Sequence, residues 1–198
     1  MHEPRGEWAI ELTRTRGWRA RDRSDDELQD WTDCVRWAKR TGVIEAGMAR
    51  NVAMAGNRRP AAARRALGRV RRFREAMYRV LVSRAAGIAA ERSDLRRLNT
   101  ELRAMAPWRV LSVRRGCYTW GWAGGAVLEL DFIVWQIALS VTTLLTGESA
   151  ERIRLCSSHD CGWLFLDESR NGSRRWCSME GCGNVEKARR YRRRQRPG

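Results

Sequence analysis

The chain has 198 residues, a formal net charge of +16 and ten tryptophans, and 43% of its residues are hydrophobic. That length suits one core-bearing domain with a small appendage, and the apolar content excludes a globally disordered chain. A charge of this sign draws polyanions, nucleic acid first and anionic membrane next.

In chain order, the opening MHEPRGEWAIELTRTRGW has no apolar run long enough for a secretory signal. A reducing compartment, the cytoplasm with its nucleoid, is therefore expected, and the six cysteines read as metal ligands and core thiols rather than disulfides. Cys34 and Cys117 stand apart from the rest and read as small buried apolar residues. Ser24 to Thr41 predicts a helix with a Ser24–Glu27 capping box and the stripe Leu28, Trp31, Val35, Ala38. A second helix is predicted from Pro60, with Leu67, Val70, Met77 and Leu81 inward. Its other face carries Arg64, Arg65, Arg69, Arg71, Arg72 and Arg79 and reads as a solvated face, with an auxiliary DNA-contacting surface as the rival reading.

Ser93 is expected to cap a third helix with Leu95, Leu98, Leu102 and Met105 on one side, ended by Pro107. WRVLSVRRGCYTWGW, residues 108–122, predicts two strands turning at Arg115–Gly116. A buried helix is predicted from about Ala126 to Leu145, stopped at Thr146–Gly147. Glu129, Asp131 and Gln136 interrupt this apolar stretch and make it a poor membrane span. The first 148 residues thus read as a mainly α domain with a small β-sheet, an α+β unit.

Beyond Glu151 the chain changes character. Cys156, Cys161, Cys177 and Cys182 follow the pattern C-x4-C-x15-C-x4-C. Four thiolates paired at short spacing suit one tetrahedral Zn2+, and a full four-cysteine shell leaves no position for water, so the metal is structural. His159, inside the first pair, is the rival ligand and is not needed. Short strands are expected at Ile153–Cys156 and Trp163–Leu166, a tight turn at SRNGS, a returning strand at Arg174–Cys177 and a last helix from Asn184 to Arg194 with Asn184 as its N-cap. Knuckle, hairpin and helix in that order read as a treble-clef-like zinc finger over residues 152–196.

The helix after Cys182 carries Lys187, Arg189, Arg190, Arg192, Arg193, Arg194 and Arg196 against Glu186 alone. Ala188 and Tyr191 are expected to pack on the finger, leaving Arg189, Arg190, Arg193 and Arg194 to face phosphate, joined by Arg170, Arg174 and Arg175 from the hairpin. Arg190 and Asn184 are candidates for base-edge contact. Trp163 and Trp176 read as the small core of the zinc module. Asp167 with Glu168 reads as an organiser of the hairpin. Hydrolytic chemistry would need an open metal position and a general base. The chain has two histidines, His2 and His159, and neither is placed for that work.

The run LCSSHDCGWLFLDESRNGSRRWCSMEGCGNVEKARRYRRR, residues 155–194, resembles the CGNR zinc-finger family, with all four cysteines in register. The preceding region resembles the ABATE domain that accompanies this finger, on its layout, on the AIELTRTRGW opening, and on the LNTELRAM and GESAERIRLC stretches. The resemblance implies a transcriptional regulator, with a finger that binds double-stranded DNA and an N-terminal domain, residues 1–148, that senses a small-molecule effector; because one finger reads few base pairs, a homodimer is expected as well. It also implies an opening strand close to L-D-x-x-N-T, where this chain has Glu11 at the acidic position and Arg14 at the asparagine. In the signature itself Cys182-Gly183-Asn184 is followed by Val185 instead of the arginine of the family name. The alternative reading is an RNA-binding or protein-docking zinc module without sequence-specific DNA binding.

Overall fold

The computed structural model describes residues 5–17, 19–20 and 25–195. Seven helices and four strands follow in the order α1 (Glu7–Arg14), α2 (Trp31–Arg40), α3 (Ala46–Arg58), α4 (Pro60–Ala85), α5 (Arg92–Met105), β1 (Arg109–Arg114), β2 (Cys117–Trp122), α6 (Phe132–Thr146), β3 (Ile153–Leu155), β4 (Leu164–Leu166) and α7 (Asn184–Arg194) among the described residues. The mainly helical class and the two small sheets agree with the sequence reading; each sheet is one antiparallel pair.

α4 is the axis of the fold. Pro60 occupies its first turn, where the missing N–H costs nothing. Leu67, Val70, Phe73, Met77, Val80 and Leu81 along it are buried. At about 1.5–3 kcal/mol for each large apolar side chain taken from water, this stripe is a main source of stability. α6 lies against it and is buried on nearly every side, from Phe132 to Leu144. Gln136 and Ser140 interrupt its apolar surface and find partners: Gln136 donates to the Val43 carbonyl at 3.4 Å, and Ser140 accepts the Ala9 N–H at 2.9 Å. Among the described residues no helix is long and apolar enough to cross a membrane.

Several element boundaries differ from expectation. α2 starts at Trp31 with a capping box between Asp30 and Asp33; Ser24 lies outside the described residues. α3 went unpredicted because its buried positions, Ala49, Val52 and Gly56, are too small to print a strong apolar period. The opening segment is a helix, not a strand. Glu11 and Arg14, three residues apart, sit on one helical face and pair at 2.7 Å, whereas in a strand they would point to opposite sides. α5 begins at Arg92, so Ser93 is already inside the helix and makes no cap. α6 begins at Phe132, after a 3-10 turn at Ala126–Leu128 that follows Gly125 in the left-handed region at φ 89°.

The predicted hairpin is present, with Arg114 opposite Cys117. Its two-residue turn takes φ 49° at Arg115 and 78° at Gly116, the left-handed pair of a type I′ turn. Cys34 is fully buried and its thiol is pushed up to about 12, chiefly by burial. Cys117 is exposed, against expectation, because it opens β2 at the turn end of the hairpin, where Tyr118 on the other face is exposed as well.

The arginines of α4 are the largest departure. Arg69 forks onto Glu101 at 2.8–2.9 Å and onto Asp131 at 2.5 Å, pinning α4, α5 and the entry to α6 together. Arg79 holds Asp94 at 2.6 Å, and Arg71 donates to the Leu28 carbonyl. These three are structural ties, and the solvated-face reading holds for the exposed Arg64, Arg65 and Arg72. Arg74, 2% exposed, falls within the apolar stripe itself and binds Thr15, Asp26 and Glu75. Burial alone would raise the Asp26 and Glu75 carboxyls. The guanidiniums of Arg74 on Asp26, and of Arg19 and Arg74 on Glu75, more than offset this and hold both below the usual carboxylate range.

Candidate metal centre

β3 and β4 pair as Ile153↔Leu166, Arg154↔Phe165 and Leu155↔Leu164. The chain between them forms the first knuckle. The Cys156 N–H donates to the Trp163 carbonyl at 2.8 Å and the Cys161 N–H to the Ser158 carbonyl at 3.2 Å, which bends both thiols to one side. Gly162 closes the knuckle at φ 66°, and a side chain there would meet Arg19 Cβ at 2.9 Å, so only glycine fits.

Beyond β4 the fully buried Asp167 organises the turn, as the sequence suggested. Its carboxylate accepts from the Ser169 N–H at 3.0 Å, the Ser169 hydroxyl at 2.5 Å and the Arg174 N–H at 2.9 Å. Arg174 to Cys177 does not return as a strand. The segment is held instead by the Ser157 N–H on the Arg175 carbonyl at 2.9 Å, with those Asp167 bonds in place of a ladder. The second knuckle is a tight π-type turn at Met179–Gly183, capped by the Ser178 hydroxyl on the Gly181 N–H at 2.9 Å, and it lifts Cys182 toward Cys177.

The four Sγ atoms lie within 4.8 Å of one another, and Cys177 Sγ is 3.6 Å from those of both Cys161 and Cys182. A tetrahedron with metal–sulfur bonds of about 2.3 Å has sulfur–sulfur edges of about 3.8 Å, so the cage fits one zinc ion. Hydrogen bonds from the Cys161 and then the Cys177 thiol hold the Cys156 thiol below its ordinary pKa, toward the thiolate that a metal ligand must be. The same bonds push the Cys161 and Cys177 thiols up, each foremost through Cys156. Cys156, Cys161, Cys177 and Cys182 would hold a Zn2+ ion as thiolates, so its binding would release their protons. The Cys177 N–H also points at Cys156 Sγ, at 3.5 Å. Phe165, Trp163 and Trp176 pack on the sulfurs, as expected of a small zinc core. His159 is 82% exposed and turned to Asp160 at 2.8 Å, away from the cage.

α7 leaves directly from the second knuckle. Asn184 is its first residue rather than its N-cap, and its side-chain amide donates to the Glu180 carbonyl at 3.3 Å. Ala188 and Tyr191 are exposed and do not pack on the finger. Glu186 and Arg189, three residues apart, face it instead. Glu186 accepts from the Ser158 hydroxyl at 3.0 Å, and Arg189 spans Glu186 at 3.0 Å and Asp160 at 2.7 Å. Arg189 therefore clamps the helix to the first knuckle, contrary to its expected outward course. Arg174 is likewise engaged: it donates to the carbonyls of Trp176 and Cys177 and lies 5.1 Å over Phe165. Arg175 stacks on Trp176 at 5.8 Å. Arg170, Lys187, Arg190, Arg192, Arg193 and Arg194 are exposed, and so is Val185 at 46%.

The finger is fastened to the helical body. The Arg19 N–H donates to the Cys161 carbonyl at 3.1 Å, Tyr78 Oη to the Gly162 carbonyl at 2.7 Å, Trp163 Nε1 to the Arg16 carbonyl at 3.2 Å and Arg14 Nε to the Leu164 carbonyl at 3.2 Å. Ile153 and Leu164 are fully buried in the same apolar cluster as α4 and α6. Sequence reading missed Arg19 and Tyr78. The available signal was Arg74 and Glu75 in an otherwise apolar register, which announces buried partners. A cleft of about 400 Å³ opens between α1 and the finger, lined by Glu7, Glu11, Arg14, Phe165, Glu168 and Arg174 among others.

Residues 152–195 match the family model described as CGNR zinc finger, and residues 6–148 match ABATE, described as "Putative stress-induced transcription regulator". No curated protein matches the sequence. The ABATE match spans well over half of the chain, and the finger match encloses the four-cysteine cage. The chain belongs to the ABATE family and carries a C-terminal CGNR zinc finger.

Proposed function

We propose that the protein is a zinc-dependent DNA-binding transcriptional regulator, in which the basic outer surface of α7 contacts duplex phosphates. The observation that carries this reading is the bare helix itself: α7 has no buried residue. Lys187, Arg190 and Arg194, at i, i+3 and i+7, make one exposed stripe on it. The zinc cage and the Arg189 clamp fix where the helix starts, so this charge is presented in a set direction instead of on a loose tail. Arg192, Arg193, Arg170 and Arg175 extend the surface, and Asn184 and Arg190 are assigned to the base edges.

Residues 1–148 form the regulatory unit in this reading and 152–196 the DNA-binding unit. The cleft between α1 and the finger supports an effector that bridges the two, since Glu11 and Arg14 line it from one side and Phe165 and Arg174 from the other. The reading is of a binding protein: four thiolates would complete the metal shell, and among the described residues the one histidine, His159, is turned away from it.

Selection from a random duplex library by the zinc-loaded protein at about 150 mM salt tests the reading, with the Arg190→Ala, Arg193→Ala, Arg194→Ala triple variant as control. An enriched motif lost in the variant supports sequence-specific reading through α7. Retention of single-stranded RNA with no duplex binding would overturn it in favour of an RNA module.

A further inference from the structure

The β1–β2 hairpin leaves an apolar face uncovered. Directly opposed residues of an antiparallel pair lie on one face, and the register opposes Leu111 with Trp120, Val113 with Tyr118, and Arg109 with Trp122. At the base that face is core, where Trp122 meets Phe132 at 4.9 Å and stacks on Trp135 at 6.2 Å. Further out it is bare: Leu111 is 64% exposed, Trp120 63%, Val113 62% and Tyr118 77%. No third strand joins the pair among the described residues, and a two-stranded sheet by itself is marginal in water.

We propose that this face is where a second copy of the chain docks, apolar face on apolar face about a two-fold axis. Area is the first argument. Aromatic side chains offer about 150–250 Å² each, so Tyr118 and Trp120 at their exposures, with Leu111 and Val113, present on the order of 450 Å². Two such faces remove roughly 900 Å² of apolar side chain, and the strand backbone and flanking groups bring the total past the about 1,000 Å² of a specific interface. Charge is the second argument. Copies carrying +16 each repel wherever their arginines meet, and this face presents two aliphatic and two aromatic side chains. Arg109 is laid over Trp120 and Trp122 at 5.3 and 4.8 Å. An acidic partner would be recognised by the arginine surfaces and has no reason to choose this one. A single apolar face that is its own complement closes as an isologous dimer.

The proposal supplies the two-fold assembly that a DNA-reading regulator would use, and to that extent rests on that reading. Association is measured without DNA, so either can fail alone. Sedimentation velocity on the zinc-loaded full chain, from about 1 to 100 µM, is expected to show a monomer passing to a dimer, since small interfaces give micromolar affinity. The Leu111→Ser, Trp120→Ser double variant should raise the dissociation constant by about ten-fold or more while keeping its helical circular dichroism. If that variant fails to fold, Tyr118→Ser at the hairpin tip gives the same reading. A wild type that stays monomeric at 100 µM, or a dimer unmoved by these variants, overturns the proposal. So does a monomer that binds phosphatidylglycerol vesicles through the hairpin.

Discussion

The hydroxyl of Tyr78, in the second half of α4, donates a 2.7 Å hydrogen bond to the carbonyl of Gly162, the residue after the second cysteine ligand. One bond thus joins the axis of the helical body to the turn that shapes the metal cage. Burial pushes the Tyr78 phenol above its ordinary pKa, so the donor is kept protonated. Arg19 stacks on its ring at 3.9 Å while giving its own N–H to the Cys161 carbonyl. Tyr78→Phe should cost about 1–2 kcal/mol, an unmade bond to a partly buried carbonyl, or about 2–8 °C in Tm for a chain of this size. Zinc loss to a chelator should quicken with it. Unchanged release kinetics would show that the cage does not feel α4.

Zinc itself should stabilise the whole chain and not the finger alone, because Ile153 and Leu164 belong to the main core. With free zinc about 1,000-fold above its dissociation constant, the linkage is about 4 kcal/mol. Chelation, or Cys161→Ser, should therefore lower a single calorimetric transition by about 8 °C or more. A split into two transitions, with the upper one unmoved by chelator, would contradict this.

Salt dependence should count the phosphate contacts of α7. Five or six contacts give a slope of log K on log salt near −5, and the Arg190→Ala, Arg193→Ala, Arg194→Ala triple variant should flatten it by about 2.7. Arg189→Ala should act differently, loosening the helix start, since its guanidinium is bound to Asp160 and Glu186. Val185→Arg, at an exposed position, should steepen the slope by about 0.9. Fluorescence anisotropy on labelled duplex reads all three.

Acid should weaken the network around Arg74. The Asp26 and Glu75 carboxyls are held below their ordinary values in the folded chain. The unfolded chain therefore takes up protons first, and stability that is complete above the ordinary carboxylate range is lost as pH falls through it, below about 4–4.5. Arg74→Gln should be less stable at pH 7 and lose less on acidification. Urea midpoints compared between the two zinc-loaded proteins separate this from acid release of the metal. Parallel pH profiles would refute the assignment.

Gly56→Ala tests the packing of α3 on α2. A methyl there would stand 2.3 Å from Trp31 Cδ1. Overpacking of that kind costs about 1–3 kcal/mol, against a helix-propensity gain of at most about 1 kcal/mol. The variant should melt lower than the wild type by differential scanning calorimetry; a gain in Tm would show that Trp31 can swing aside.

What the amino-acid sequence determines by itself is whatever short-range chemistry sets. Cys156, Cys161, Cys177 and Cys182 declare their cage because metal-ligand spacing is local, and Gly116 declares a turn because left-handed φ values favour glycine, although the left-handed Arg115 beside it is not legible. Pro60 marks the start of α4, because a first-turn residue needs no N–H partner, and Gly147 marks the end of α6 in extended backbone. Which arginines are spent inside the molecule is decided only by tertiary structure. Arg69, Arg74, Arg79 and Arg189 look in sequence like Arg64, Arg65, Arg190 and Arg193. They differ because a carboxylate from 15 to 62 residues away, as for Arg79–Asp94 and Arg69–Asp131, comes within hydrogen-bonding distance, and periodicity along one segment carries no information about such a partner. The fastening of the finger to the helical body is of the same kind. It runs through the carbonyls of Cys161, Gly162 and Leu164, and backbone acceptors are present in every residue, so their use is written in the packing alone.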